Sequence, residues 1–473
     1  MSMLTDYDEL MQILKQKKVT HLCSNSNNVE SNSAFFAIRG QKYDGNNFIN
    51  SVLSKGALIA LTDSELFTPS EHVIRVKNTK DALQFCALKF YEKIPSNIVL
   101  ITGTNGKTSV THYVNQILSL LGNNSASIGT LGCHANVTLD HIHKSELTTP
   151  DFLDLRRTLY ELSLKKIDYV AIEASSIALT QNRFFGIKAQ SCAFTSFASD
   201  HLDYHLNEEN YLNAKLNLFE KHLAKNGSIV LPEAVIKVIP NRILEKYKIL
   251  SLGENGSLKY RIESSSTNGQ IIKVNFEGKN YQFSTNIIGN YQAENLLTSA
   301  LLVHALGVDF SNTIKVLENI SAPSGRLERI KDNIFIDYAH NEDAMKIMLL
   351  EIQKLKDPNQ QVWILFGCGG ERDESKRFEM GKIANSLADI VIITDDNPRN
   401  ENPQKIRDAI LKGCPKAIEI PEREKAITYA VQNLPVNAIL IVAGKGHEIY
   451  QVIKDKKVHF VEKEIILDAI KSL

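Results

Sequence analysis

The chain has 473 residues, 43% of them hydrophobic and 23% charged, with a mean hydropathy of −0.17. That length implies about three domains, and the composition excludes a disordered or collagen-like chain. Its 54 basic and 54 acidic residues cancel, so neither nucleic acid nor an anionic membrane is expected as a partner.

No apolar run approaches the ~20 residues of a membrane helix. The opening MSMLTDYDELMQ is acidic and lacks the apolar stretch of a signal peptide. Cys23, Cys86, Cys133, Cys192, Cys368 and Cys414 make no Cys-x-x-Cys pair and no zinc spacing. Free thiols in a reducing cytoplasm are expected.

The pattern predicts an α/β protein of three parts. Residues 1–93 open with a short amphipathic helix (Leu10, Ile13, Leu14), followed by Ser/Asn-rich turns and short strands near 34–38 and 57–61. This describes a small α/β module. Residues 94–322 begin with an apolar run at 97–102, then GTNGKTS, then a helix with Val110, Val114, Ile117 and Leu121 on one face. Apolar runs at 169–172 and 192–194 extend this into a parallel sheet, with further strands near 227–231 and 271–283. Residues 323–473 alternate strand and helix: 334–337, 343–355, 362–366, 377–387, 390–394, 403–411, 424–433 and 438–443. That is a doubly wound, Rossmann-like sheet, which binds ligands at the carboxyl ends of its strands. The loops GCGGERD, DDNPRNE and AGKGHE each follow a strand there.

Gly103-Thr104-Asn105-Gly106-Lys107-Thr108-Ser109 lies between a strand and a helix. Backbone N–H groups of such a loop converge on phosphate oxygens at a helix N-terminus. Lys107 is placed to reach the β/γ-phosphates and the Thr108 hydroxyl to ligate Mg²⁺. Ile101 stands where the general pattern has its first glycine, so this is the shorter GTxGKT form. A glycine-rich turn with a solvated lysine is the plain alternative, and the strand–loop–helix context argues against it. Phosphate binding alone leaves kinase, motor, switch and ligase open.

Further along, Glu173 ends a strand in YVAIEASS, Asp200-His201-Leu202-Asp203 follows another, and Lys215 lies in a helix start, NYLNAK. Singly, each has a structural explanation. Together, downstream of a phosphate loop, a carboxylate and an imidazole are suitable Mg²⁺ ligands beside ATP.

GTNGKTS, EASS, SDHLDYH, YLNAKLNLF, NIIGNYQAENLLTSA, SGRLERI and DYAHNEDA resemble, in order, the motifs of the Mur ligases. The resemblance covers nearly the whole chain and is weakest before residue 34. It implies an ATP-dependent amide ligase of peptidoglycan precursor synthesis, with an N-terminal uridine-nucleotide domain, a central ATPase domain and a C-terminal amino-acid domain. It implies ATP, two Mg²⁺ and a carbamylated Lys215, with Thr108, Glu173, His201 and that carbamate as metal ligands. Lys107, Glu173, His201 and Lys215 would form the catalytic set, and Asn295, Arg326, Asp337 and His340 would lie near the nucleotide. An acyl phosphate attacked by an amine then needs positioning and charge neutralisation rather than a protein nucleophile.

Asp396-Asn397-Pro398-Arg399 resembles the signature of members that add meso-diaminopimelate, whose far end carries a second carboxylate that Arg399 would grip bidentately. Arg372, Gly444 and Glu448 match the same amino-acid site. Asp-Asn-Pro is also strong turn chemistry. For a UDP-muramoyl dipeptide, the resemblance implies Ser24, Ser26, Gln41, Lys42, Tyr43, Thr148, Thr149, Ser175, Gln181 and Arg183. Departures are Asn25-Ser26-Asn27 for Asp-Ser-Arg, Leu147 for Asn, Ile177 for His, and Asn341-Glu342 for Thr-Pro. The rivals are a sibling ligase adding L-lysine and a non-catalytic ATP-binding switch or scaffold. A cytoplasmic monomer acting on small molecules is expected.

Overall fold

The computed structural model describes residues 3–40, 43–139 and 147–473. The chain divides into two compact, interleaved units. One is Met1–Ile98, Asn124–Ala189 and His201–Ala224; the other is Val99–Asn123, Gln190–Asp200 and Lys225–Leu473. The α/β class and the parallel sheets expected from the sequence are both present.

In the first unit, His21–Cys23, Ser33–Phe36, Ile59–Thr62 and Val73–Arg75 form a parallel sheet in that order. Side chains alternate between its faces with period two. Ala34, Phe36, Ile59 and Leu61 pack with Leu10, Leu14, Leu83 and Ala87 of the helices Tyr7–Gln16 and Thr79–Phe90. Phe35, Ala37 and Ala60 pack on the other side with Ile49 and Val52. Burial on both faces is why these strands read as short apolar runs. A second group pairs Ser125–Gly129 parallel with Tyr169–Glu173 and antiparallel with Gly132–Ala135. Neither Ser125–Gly129 nor Gly132–Ala135 was read from the sequence.

In the second unit one sheet runs in the spatial order Lys279–Thr285, Gly269–Phe276, Leu258–Ser266, Lys248–Leu252, Leu223–Pro232, Ala189–Phe194 and Asn97–Thr102. The strand expected at 271–283 is two strands of an antiparallel hairpin. Glu277 (φ 50°) and Gly278 (φ 76°) turn it, the left-handed pair that a tight hairpin with right-handed strand twist requires. Helix Lys107–Leu120 packs against Asn290–Ala305, where the Ser299 hydroxyl donates to the Val110 carbonyl at 3.2 Å.

The last sheet has the order Glu328–Lys331, Ile334–Asp337, Ile439–Ala443, Val362–Phe366, Ile390–Ile393 and Ile418–Glu419. All its pairs are parallel except the first. Ile439, Ile441 and Ala443 face one core while Leu440 and Val442 face the other. Ile439–Ala443 inserts between Ile334–Asp337 and Val362–Phe366, which brings four loops to the carboxyl ends of neighbouring strands. Asn341, one of the departures, caps helix Glu342–Leu355: its side chain accepts from the Ala344 N–H at 2.9 Å, a role open equally to threonine.

Candidate active site

The phosphate loop sits in the second unit. Gly103 (φ 152°) and Gly106 (φ 87°) take backbone conformations that side chains resist. A Cβ on Gly103 would lie 2.0 Å from Thr195 Oγ1, and one on Gly106 2.6 Å from Asn295 Oδ1. Asn295 is therefore packed on the loop. The loop is laced to the segment after strand Ala189–Phe194: Thr104 N–H donates to the Ser196 carbonyl at 2.8 Å, and Asn105 N–H to Ser196 Oγ at 2.8 Å. The Thr195 hydroxyl donates to the Asn105 carbonyl. Lys107 Nζ donates to the carbonyls of Gly103 (2.8 Å) and Thr104 (2.9 Å), so its charge is folded over the loop that would hold phosphates.

Arg326 joins this group. Its Nη2 lies 3.4 Å from Thr108 Oγ1, and its guanidinium is 4.7 Å from the Tyr338 ring centroid. Gln292 donates to the Arg326 carbonyl at 3.2 Å. Asp337 uses both carboxylate oxygens on backbone, accepting from Leu327 N–H (2.7 Å) and Ala339 N–H (2.8 Å). Burial raises its pKa against the pull of Arg326 and these two bonds. The His340 ring packs on Tyr338 with 4.6 Å between centroids, and its Nδ1 is 2.9 Å from the Tyr338 carbonyl. His447 lies on the same tyrosine at 4.9 Å, where burial and Arg326 push its imidazole down to about 4.

The loops GCGGERD, DDNPRNE and AGKGHE lie at the carboxyl ends of the last sheet. Arg399 (φ 52°) donates Nη1 to the Gly370 carbonyl at 2.7 Å. A Cβ on Gly369 would sit 2.9 Å from that same guanidinium nitrogen, and one on Gly370 2.1 Å from the Pro398 carbonyl oxygen. The paired glycines of GCGGERD thus let the arginine loop approach. Arg377, 2% exposed, grips Glu401 with both Nη atoms at 2.6 and 2.7 Å, and Glu401 also accepts the Glu371 N–H. Asn397 Nδ2 donates to Glu448 Oε2 at 2.8 Å. Burial would raise the Glu448 carboxyl, but Lys445 and Asn397 outweigh it and hold it below the usual carboxylate range. Asp396 and Asn397 are buried and Arg372 is exposed. A Cβ on Gly444 (φ 110°) would meet Asp396 Oδ2 at 2.9 Å.

The first unit gathers the other expected residues. Glu173, 1% exposed, accepts from Thr130 N–H (2.8 Å) and Thr130 Oγ1 (3.1 Å), one bond to each carboxylate oxygen. A Cβ on Gly129 would fall 2.1 Å from Glu173 Oε1. The Thr149 hydroxyl donates to the Glu173 carbonyl at 2.7 Å and lies 3.2 Å from Ser175 Oγ, while Thr148 Oγ1 is 3.2 Å from Thr130 Oγ1. Arg183 donates to the Thr149 carbonyl and twice to Gln181 Oε1, at 3.0 and 2.7 Å. Thr148, Thr149, Ser175, Gln181 and Arg183 therefore converge. Lys215 is 1% exposed with its ammonium 4.3 Å from the Tyr211 ring centroid, one helical turn away. His201 (φ 52°) is exposed, 6.3 Å from Tyr211 ring to ring. Tyr211 is thus the neighbour that His201 and Lys215 share.

Among the described residues, no group of three or more His, Cys, Asp or Glu side chains is assembled to hold a metal by itself. Glu173 and His201 are nevertheless of the side-chain types that ligate Mg²⁺.

Of the residues expected to contact uridine, Ser24 and Ser26 follow strand His21–Cys23, and Tyr43 is 73% exposed. Gln41 and Lys42 lie outside the described residues. Asn25 Oδ1 accepts the Asn27 N–H at 3.0 Å, so the departing triplet closes on itself as an Asx turn. Arg39, Asp63, Lys77 and Lys80 line a cavity at the carboxyl ends of this sheet.

Residues 101–303 match the Mur ligase middle domain and residues 325–446 the Mur ligase glutamate ligase domain. A Rickettsia bellii protein called UDP-N-acetylmuramoyl-L-alanyl-D-glutamate–2,6-diaminopimelate ligase is 45% identical, over 96% of this chain and 97% of its own. The chain belongs to the Mur ligase family. A solved structure of a ligase of that same name aligns at a TM-score of 0.66 and 25% identity, covering 96% of this chain and 94% of its own. The MurF ligase from Thermotoga maritima in complex with ADP aligns at 0.65 and 16%, covering 97% and 98%, a likeness of fold alone.

Several residues of this Mur ligase escaped the sequence reading. Thr130, Thr195 and Ser196 hold Glu173 and the phosphate loop, and only their places after strand ends mark them. Lys445, between two glycines of the AGKGHE loop, was visible in a motif already singled out. No helix among the described residues is long and apolar enough to cross a membrane.

Proposed function

We propose that this chain joins meso-2,6-diaminopimelate to the D-glutamate carboxyl of UDP-N-acetylmuramoyl-L-alanyl-D-glutamate, using ATP. The observation that carries this reading is the pocket at the carboxyl ends of the last sheet. Arg399 is held on Gly370 at 2.7 Å, and Glu448 is held on Asn397 at 2.8 Å, in loops that follow Ile390–Ile393 and Ile439–Ala443, the strands on either side of Val362–Phe366. A cation and an anion on one rim suit an amino acid whose far end is itself a zwitterion. The identity to ligases named for that amino acid supports the same assignment.

Gly103 to Ser109 hold the ATP phosphates, Lys107 neutralises the transferred phosphoryl group, and Asn295, Arg326 and His340 complete the nucleotide side, shaped by Asp337. The γ-phosphoryl group passes to the D-glutamate carboxylate, and ADP leaves. The diaminopimelate amine then attacks the acyl phosphate carbon, loses its proton, and expels inorganic phosphate. Thr108, Glu173, His201 and a carbamylated Lys215 would hold Mg²⁺, which when bound supplies charge neutralisation at the phosphates. Thr148, Thr149, Ser175, Gln181 and Arg183 orient the muramoyl dipeptide. Ser24, Ser26, Gln41, Lys42 and Tyr43 contact its uridine end, with Arg39, Lys77 and Lys80 as nearby cations for its diphosphate. All substrates are small molecules, so the reading needs no partner chain, and a cytoplasmic monomer fits it.

The test is product analysis. Purified protein with ATP, Mg²⁺, the UDP-muramoyl dipeptide and meso-diaminopimelate is expected to give the tripeptide by mass spectrometry, with one phosphate released per amide formed. ATP hydrolysis indifferent to both acceptor and amine would instead favour a switch or scaffold.

A further inference from the structure

The pocket contains a charge that no substrate role accounts for. Lys445 is fully buried. Its ammonium donates to Glu448 Oε2 at 2.8 Å and to Asn397 Oδ1 at 3.1 Å, and lies 4.0 Å from Asp396 Oδ1. A buried ammonium without partners is costly, so these contacts define where it sits. Asn397 is fixed in turn: Oδ1 accepts from Lys445 and from the Val452 N–H at 2.8 Å, and Nδ2 donates to Glu448. That pattern permits only one orientation of the amide. Both bonds to Glu448 fall on Oε2, which leaves Oε1 as the acceptor for a ligand.

We infer that Lys445 is a positioning residue for amino-acid specificity: it locks Asn397 and Glu448 into one geometry and sets the charge that the incoming ammonium meets. Lys445 offsets the carboxylates nearest it, Glu448 and Asp396. Without Lys445, Glu448 keeps only the bond from Asn397, and Asn397 loses one of the two donors that fix its amide. The backbone serves the same end, because Gly444 (φ 110°) and Gly446 (φ 58°) on either side of Lys445 take left-handed-region conformations that turn the lysine inward. This inference rests on the diaminopimelate reading.

The experiment is a double-mutant cycle in the full-length enzyme, using Lys445→Met, Glu448→Gln and the pair together, with diaminopimelate varied at saturating ATP. Lys445→Met is expected to raise KM for diaminopimelate about ten- to a hundredfold, to change kcat less than about threefold, and to leave KM for ATP unchanged. Added to Glu448→Gln, it is expected to raise KM by less than about threefold more, because its route runs through Glu448. Lys445→Gln, a shorter neutral donor, is expected to raise KM for diaminopimelate as well, and thermal melting of every variant establishes folding. Wild-type KM for diaminopimelate in Lys445→Met, or effects that multiply independently in the cycle, overturns the inference. A wild-type enzyme that diaminopimelate does not saturate overturns instead the reading on which it rests.

Discussion

Replacing Arg399 by alanine removes the group assigned to the far carboxylate of the amino acid. Alanine keeps the Cβ, and hence the strain, of a backbone at φ 52°, so the change isolates the guanidinium; glycine would relax the loop as well. Arg399 has five N–H donors, and one is committed to the Gly370 carbonyl at 2.7 Å, which leaves enough for a two-pronged grip. Losing one member of a buried, hydrogen-bonded charge pair costs about 2–5 kcal/mol. Arg399 is only half-buried, so solvent screening places the loss at the lower end, about 2–3 kcal/mol. That corresponds to a rise of roughly 30- to 150-fold in KM for diaminopimelate. Arg399→Lys, which keeps charge but not the fork, is expected to fall between, at about tenfold. The assay is initial phosphate release against diaminopimelate concentration at saturating ATP and dipeptide. A KM within about threefold of wild type in Arg399→Ala would refute the assignment.

Lys107→Ala is expected to reduce kcat/KM for ATP by at least about a hundredfold, with weakened binding of a fluorescent ATP analogue; near-normal turnover would remove Lys107 from the phosphate site. Gly129→Ala places a methyl 2.1 Å from Glu173 Oε1, so it is expected to displace that carboxylate and raise the Mg²⁺ concentration needed for half-maximal rate; an unchanged Mg²⁺ titration would contradict it. Arg423 and Glu462 form a fully buried ion pair at 2.7 Å; Arg423→Ala strands the carboxylate and is expected to cost about 3–5 kcal/mol of stability by denaturant unfolding, and an unchanged midpoint would contradict it. The bond from Arg377, against a smaller opposing effect of burial, holds Glu401 below its usual pKa. Its stabilisation is therefore complete above the unfolded value of about 4.3 and disappears as pH falls through the lower folded one. Melting temperature should drop less steeply across that acid window in Glu401→Gln than in wild type.

Local chemistry decided what could be read beforehand. The strand Asn97–Thr102, the glycine-rich turn and the helix Lys107–Leu120 are contiguous, and the turn's glycines and lysine have a single good use together. Helices Glu342–Leu355 and Pro403–Leu411 were legible because apolar spacing and an N-cap agree at each. The hairpin Tyr450–Ile453 and Lys456–His459 was not: its strands are half-exposed or exposed, and KDKK carries no apolar period. Its function is still specific, since Arg399 N–H donates to the Val452 carbonyl and Lys454 N–H to that of Arg399. The joining of Glu173 to Thr130, 43 residues apart, depends on the pairing of their strands, and that of Arg423 to Glu462, 39 apart, on the packing of the two helices they begin. Composition carries no trace of such pairs. The motifs supplied the candidate residues, and most of those that hold them in place emerged only from the fold.

Phosphate release is measured with the UDP-muramoyl dipeptide, ATP and Mg²⁺ while the amine is varied among meso-diaminopimelate, L-lysine, L-ornithine and D-alanyl-D-alanine. The pocket of Arg399, Asn397, Lys445 and Glu448 predicts kcat/KM for meso-diaminopimelate at least about thirtyfold above every other amine. A higher value with L-lysine, which has the far ammonium but no far carboxylate, would contradict it.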